Sequence, residues 1–511
     1  MAGPWFVDPQ NGLTTNNGLS ADAPWKLIPG QTGATAQTGY GVVAGDTINV
    51  RNGTTTSLQV VPPAANLTYR GYGLADNVLM LTLPIPTFPR LTYQLRAVRQ
   101  AGTHEGMWSI EGCASSTCID TSTRSGVVFE DVRIVGNASQ TSRVVALASS
   151  SQNTTGCVLR RFAIYNAPKA AISAYSVGIT LEQGLIYYPA EDGILIGAAA
   201  ANSSRTGGVD TLRQLMIVEP GWGSAAIGDG VQTIPNSNVF LSALRMSDIY
   251  VRKANAVKQA MFLSDATGGF LLERFHCDSD AGGHCQIGVE TLKGALTIRN
   301  GYVKEGGDDN ALIRFVTSSG TAAGTGSLLR VQNVIHDAET SAGFFTAASL
   351  SLAGTADGAI EIENCYSQAA NDQGLSYSGA VSFAPGALLT WGANASVKVR
   401  NNVLSAPGGY SVRLPAGTAN NAAWNVSGNC IPAGSLSIGS TDYATVALFE
   451  AAHSAAVGNI DSDPLVTADG RPLPGSPLLT SGADLGYLRD IRGYQSKGHI
   501  GAYGRARLAI R

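Results

Sequence analysis

A short hydrophobic pattern returns eleven times between Phe129 and Val426, and it restricts the architecture more than any other feature of the chain. Each unit runs apolar, two mostly polar residues, an often apolar third, any residue, then usually another apolar one. The units open at Phe129, Leu159, Leu181, Leu212, Met246, Leu272, Ile298, Val331, Ile362, Val399 and Val426, with gaps of 22 to 37 residues. Leu159-Arg-Arg-Phe162-Ala-Ile164 and Leu272-Glu-Arg-Phe275-His-Cys277 are examples. A period of about 20–50 residues marks a solenoid, in which a unit buries its apolar face only against its neighbours. Within each unit the alternation has period two, the residues are Val, Ile, Leu and Tyr, and Gly, Asn and Ser clusters form the bounds. These are strands; no stretch of about 12 residues with helical periodicity interrupts them between 126 and 435.

Asn300, Asn333, Asn364 and Asn401 each stand two residues after their anchor in four consecutive units. Asparagine tolerates the left-handed conformation of a tight bend, and stacked amides about 4.8 Å apart can bond from one rung to the next. In this the chain resembles right-handed parallel β-helices, which carry internal asparagine ladders between strands. The expected fold is all-β: a right-handed single-stranded parallel β-helix of about eleven or more rungs, with an N-terminal cap and a C-terminal strap. The expected boundaries are 1–75 for the capping segment and first strands, 76–435 for the β-helix, and 436–511 for the strap and closing segment.

The two ends extend the resemblance. Phe6-Val7-Asp8-Pro9-Gln10-Asn11-Gly12, Ser20-Ala21-Asp22-Ala23-Pro24-Trp25, Val43-Ala44-Gly45-Asp46-Thr47-Ile48-Asn49-Val50 and Leu67-Thr68-Tyr69-Arg70-Gly71-Tyr72-Gly73 follow one another. This succession resembles the opening of the pectate-lyase-like β-helix superfamily. Asp463-Pro464-Leu465, Gly475-Ser476-Pro477-Leu478 and Gly498-His499-Ile500-Gly501-Ala502-Tyr503 resemble its closing strap, which packs along the outside of the solenoid. An uncapped first rung would expose a row of unpaired hydrogen-bonding groups, which is the physical need for such ends.

Members of that superfamily mostly act on polysaccharides, and phage tailspikes share the fold, so the resemblance implies a cell-surface polysaccharide as partner. The motifs that would fix an enzyme class are missing. There is no Arg-x-Pro-x-x-Arg base of a pectate-lyase calcium site, and the polygalacturonase set is not present as a set. Its nearest approach, Gly283-His284-Cys285-Gln286-Ile287-Gly288 followed by Asp308-Asp309, has the wrong order. No cofactor, zinc, nucleotide or Ser-His-Asp motif is present.

Stacking suggests where a site would form, because residues at equal offset from their anchors lie above one another. Six or more residues after the anchor, three adjacent rungs supply Arg252 and Lys253, then Asp278, Asp280 and His284, then Lys304, Glu305, Asp308 and Asp309. Two carboxyl groups hydrolyse a glycosidic bond at separations of about 5–9.5 Å, which one or two rungs provide. Asp278, Asp280, His284, Glu305 and Asp308 are the candidate catalytic groups; Arg252, Lys253, Asp309 and Trp222 are the candidate substrate-binding groups. Upstream rungs add Glu191, Asp192 and Asp229. The same residues also suit ordinary solvated ion-pair ladders and Asp-Gly turns, and Trp222 suits a packed loop. His276, outward on its strand, reads as a surface residue.

Cys157 and Cys277 fall at inward positions and read as core, while Cys113-Ala-Ser-Ser-Thr-Cys118 has the spacing of a small disulfide loop. A net charge of −3 gives no sign of a nucleic-acid partner, and no run of about 18 apolar residues suggests a membrane span. Met-Ala-Gly-Pro-Trp-Phe-Val lacks a basic region before an apolar core, so it does not read as a secretory leader. Expected first is therefore a phage tailspike or tail-fibre-like virion component. It would be a homotrimer attached to other tail proteins that binds a host surface glycan, with depolymerisation of that glycan as its candidate activity. The alternative is an extracellular bacterial polysaccharide lyase or glycoside hydrolase whose leader has been removed.

Overall fold

The computed structural model describes residues 3–73, 78–82, 94–98, 107–121, 123–137, 143–148, 154–197, 208–222, 228–234 and 243–253 in the first half of the chain. In the second half it describes 259–264, 269–279, 287–290, 294–305, 311–316, 328–338, 343–349, 351–352, 359–368, 379–383, 390–391, 396–407, 409–416, 423–433, 435–467, 471–482, 485 and 500–501. Two compact units are present, one within 1–251 and one from Arg252 onward.

In the first unit, Pro4–Val7 pairs in parallel with Thr47–Arg51, which pairs with Thr68–Tyr72. Val128–Val135, Val158–Tyr165, Thr180–Tyr187 and Val209–Val218 then stack in parallel, with Phe129 beside Leu159, Leu159 beside Leu181 and Leu181 beside Leu212. A second parallel sheet joins Ile119–Asp120, Val145–Leu147, Ile172–Ala174, Ile194–Gly197 and Val231–Ile234.

The second unit repeats the plan. Phe270–Ser279, Ala295–Glu305, Leu328–Ala338, Ala359–Glu363, Ser396–Arg400 and Trp424–Ser427 stack with Leu272, Ile298, Val331, Ile362, Val399 and Val426 in register. Its other sheet includes Met261–Ser264, Ile287–Glu290, Ala311–Val316, Gly343–Ser349, Gly379–Phe383, Tyr410–Leu414 and Ser435–Ile438. The antiparallel strand Thr441–Tyr443 ends that sheet. Anchor upon anchor, two parallel sheets per turn: this is the right-handed parallel β-helix expected from the repeat. Variable spacing between anchors is taken up in the loops, not in the register.

The residue two after the anchor has positive φ in all eleven units. Asn300, Asn333, Asn364 and Asn401 hold it at 53–56°, and Gly428 at 63°. The others are Asp131, Arg161, Gln183, Gln214, Asp248 and Arg274, at 48–58°. A left-handed residue other than glycine costs about 1–2 kcal/mol, less for Asn or Asp, so the bend is imposed by the strands on both sides. One amide–amide bond, Asn333 Nδ2 to Asn300 Oδ1 at 3.1 Å, follows the expected ladder.

The continuous ladder lies one position further on. Asn402 Nδ2 donates to Asn429 Oδ1 at 3.0 Å, and Asn429 Nδ2 to Asn459 Oδ1 at 2.9 Å. The Glu450 carboxylate, on the helix Val446–Ala452, ends the series by accepting from Asn459 Nδ2 at 2.8 Å.

Inward rows fill by compensation. A Cβ at Gly184 would lie 2.1 Å from Phe162 Cζ, and one at Gly301 2.1 Å from Phe275 Cζ. The large ring on one rung occupies the side-chain space of the next, which holds the row volume constant. Cys157 and Cys277 are fully buried, as their positions predict. Cys113 and Cys118 are buried free thiols, not a disulfide.

The outward row four residues after the anchor departs from the expectation. In the first unit it contains Ala163, Leu185, Met216 and Tyr250, all buried. Strand Gln94–Val98, paired antiparallel with Val78–Thr82, lies against the strands that carry the first three. In the second unit Tyr302, Ile335, Tyr366, Val403 and Cys430 form one buried cluster with Leu478 and Ile500 of the strap. His276 begins that row and is not a surface residue: it is fully buried, edge-on to Tyr302 with ring centroids 4.9 Å apart. A second layer turns the outward row into core.

Candidate functional site

Of the candidate patch in the second unit, the described part is a charged row on adjacent strands. Asp278 stands beside Lys304, and Lys304 beside Asp337, whose Oδ2 accepts from the Tyr302 hydroxyl at 2.9 Å. Alternating charge at one register position stabilises neighbouring strands by a few tenths of a kcal/mol to about 1 kcal/mol per pair. Arg252 is exposed; Lys253 is fully buried, its Nζ donating to the Gln259 carbonyl at 3.3 Å. Burial takes that ammonium away from any ligand at the surface. Glu305 ends its strand opposite Ala338, with its side chain outside the described residues. Asp280, His284, Asp308 and Asp309 also lie outside the described residues.

The first unit carries a different arrangement, centred on Trp222, which is 61% exposed. Trp222 sits in a turn pinned to the rung below: Gly221 N donates to the Pro189 and Glu191 carbonyls at 3.0 and 2.8 Å. Gly221, at φ 80°, meets Gly228 so closely that a Cβ on Gly228 would lie 2.2 Å from Gly221 Cα. Only glycine permits both the bend and the contact.

From Trp222 a run of rings descends the solenoid. Tyr188 meets Trp222 edge-on at 4.8 Å, Tyr187 meets Tyr188 at 4.4 Å, and Tyr165 lies 6.0 Å below Tyr187. The Arg133 guanidinium lies 5.3 Å from the centre of the Tyr165 ring and is ion-paired with Glu111. Tyr165 and Tyr187 each stand six residues after their anchor, which is why they stack. That spacing is legible in the sequence, whereas Tyr188 comes from the following turn, at φ 54°. All three tyrosines are half-buried, and burial raises the Tyr165 hydroxyl above its ordinary pKa.

Carboxylates border this run. Glu191 pairs with Lys169 beside the Trp222 turn. Asp192 is 4% exposed and accepts the Asp229 N–H at 2.9 Å. Asp229, at 3%, and Glu219, at 4%, are buried one rung on. The arrangement is an aromatic run over three rungs with Glu191 at its edge. No group of His, Cys, Asp and Glu suited to hold a metal occurs among the described residues.

No known family profile matches the chain, and no curated protein matches it in sequence. Among solved structures, similar ones include a GH136 lacto-N-biosidase from Eubacterium ramulus, at 11% identity over 66% of this chain and 68% of that one, with a TM-score of 0.37. The catalytic unit of a GH87 α-1,3-glucanase from Streptomyces thermodiastaticus gives 12% identity, 69% and 64% coverage, and a TM-score of 0.39. Pectate lyase Pel9A gives 12%, 98% and 96%, and 0.30. This chain thus spans just under two thirds of the glucanase. At such identities and scores nothing about chemistry carries over. The fold stands on the registers themselves, and they make it a right-handed parallel β-helix.

Proposed function

We propose that this protein binds a polysaccharide across the Trp222–Tyr188–Tyr187–Tyr165 face. The observation that carries the proposal is the exposure of Trp222, 61%, on a turn held by backbone hydrogen bonds and continued by three half-buried tyrosines. A large indole left in solvent on a rigid turn has no packing role that requires its exposure. Sugar rings present apolar C–H faces to aromatic rings, and a pre-set platform binds them without an ordering cost. Replacement of Trp222 by alanine is expected to weaken glycan binding at least tenfold, about 1.4 kcal/mol, and to shift folding stability by less than about 1 kcal/mol. Affinity electrophoresis in polysaccharide gels, with denaturant melts alongside, reads both. Equal retardation of the two proteins in every gel that retards the wild type would sink the proposal.

The proposed chemistry, where bonds are cut, is hydrolysis by a carboxyl pair. The candidate set is Asp278 with Asp280, Glu305 and Asp308; beside the aromatic run Glu191 is half-buried, whereas Asp192, Glu219 and Asp229 are buried away from a surface ligand. The narrower proposal is a virion tail protein that acts on a host surface glycan as a homotrimer, and it rests on the sequence resemblance. A solution mass near three times 52.8 kDa that survives cold detergent is expected if so. A monomer in light scattering would remove it and leave an extracellular enzyme.

A further inference from the structure

We propose that Cys113 and Cys118 are a covalent modification site: exchange with a small-molecule disulfide oxidises this pair, and no other described cysteine, to an intramolecular disulfide. The two thiols stand at either end of the exposed turn that joins strand Trp108–Glu111 to Ile119–Asp120. Cys118 is fixed on both sides, its N–H donating to the Val144 carbonyl at 2.8 Å and its carbonyl accepting the Val60 N–H at 2.9 Å. Cys113 lies on the turn, its Sγ 3.7 Å from the Thr117 carbonyl. That carbonyl belongs to the residue immediately before Cys118. One cysteine leads a rigid strand and the other lies on the short turn that enters it, so bridging asks for movement of that turn alone.

Chemistry separates this pair from the other described cysteines. The nearby Cys118 thiol is the main cause that lowers Cys113 to about 6, against the opposing effect of burial, so thiolate is present at neutral pH. Burial pushes Cys365 and Cys430 up to about 12, which leaves them as inert thiols. Cys157 and Cys277 are buried on inward rows of the solenoid.

The exchange balances with oxidised glutathione as the oxidant. The Cys113 thiolate attacks one sulfur of the glutathione disulfide, forms a mixed disulfide and releases one glutathione thiolate. Cys118, losing its proton to solvent, then attacks the Cys113 sulfur and expels the second glutathione. Two protein thiols are oxidised, one disulfide is reduced, and two glutathione thiols leave. Both sulfurs are fully buried, so the first attack waits on opening of the turn at its exposed residues 114 and 116.

The test is intact-protein mass after incubation of the folded chain with oxidised glutathione, followed by alkylation under denaturing conditions and peptide mapping. Expected is the loss of two hydrogens, a cross-link confined to the peptide spanning 113–118, five remaining alkylated cysteines, and reversal by excess reduced thiol. Cys118→Ser is expected to stop at the glutathione adduct on Cys113, and Cys157→Ser to behave as wild type. Seven alkylated cysteines after incubation, a lasting glutathione adduct in the wild type, or a cross-link elsewhere would each overturn the proposal. The wild-type measurement stands whether or not the variants fold.

Discussion

Replacing Asn429 with alanine is expected to destabilise the second unit by about 3–5 kcal/mol, since each buried group left without a partner costs about 1–3 kcal/mol. Asn429 is fully buried and its amide makes four bonds. Its Oδ1 accepts the Asn402 backbone N–H and Asn402 Nδ2, both at 3.0 Å. Its Nδ2 donates to the Val399 carbonyl at 2.8 Å and to Asn459 Oδ1 at 2.9 Å. Alanine strands both Asn402 donors in a site too closed for water to replace the acceptor, and it opens the row between Asn402 and Asn459. Asn300→Gly is the contrast. Its φ of 56° suits glycine, and only the bond from Asn333 is lost, so a change within about 1 kcal/mol is expected. Denaturant midpoints at constant slope read both. A loss at Asn429 no larger than that at Asn300 would show that the amide ladder contributes no more than the bend.

That contrast also marks how far the sequence could be read. Anchor spacing exposes the rungs because a period-two strand facing a continuous core must place an apolar residue at a fixed offset. The bend two residues on was visible only where asparagine holds it. Arg161, Gln183 and Gln214 adopt the same backbone against their own preference, driven by bonds to strands encoded some 22 to 34 residues away. The Asn402–Asn429–Asn459 ladder was hidden because its polar residues occupy a position where other rungs put Val132, Phe162 or Ile249.

The outward row was harder still. Leu185 and Tyr302 lie beneath layers supplied by distant segments, and no local period reports a covering layer encoded elsewhere in the chain. Of the site, Trp222 between two glycines and the equal offsets of Tyr165 and Tyr187 were legible. The burial of Lys253 was not, because it follows Arg252 at the end of a strand and its burial is tertiary.

The buried histidines set the response of stability to pH. His276 and His336 are each fully buried, and burial lowers both to about 4. His336 sits on an inward row, its Nδ1 3.2 Å from the Ser367 hydroxyl, where a charged imidazole would have no solvent. Burial lowers His453 as well, and its Nδ1 accepts the Ala455 N–H at 3.2 Å, a bond that only the unprotonated nitrogen makes. An unfolded histidine titrates near 6.5, so between pH 6.5 and 4 the unfolded chain binds more protons than the folded one. Stability is therefore complete above about pH 6.5 and falls as pH drops toward 4. Each group contributes a slope of about 1.4 kcal/mol per pH unit, or roughly 3 kcal/mol for His276 and for His336 across the window.

Below pH 4.5 the carboxylates extend the loss. Burial would raise Glu361 and Glu273, but hydrogen bonds from Lys398 and Arg330 to the first, and from Arg299 and Arg274 to the second, leave both below the ordinary value. Their contribution is present above the unfolded carboxylate pKa and disappears as pH falls through the lowered one. Denaturant titrations from pH 7.5 to 4 are expected to give a falling stability whose slope decreases by about one proton in His276→Phe and again in His336→Leu. An unchanged slope in either variant would mean that its histidine is already charged in the fold, and that the packing around Tyr302 or Ser367 admits water.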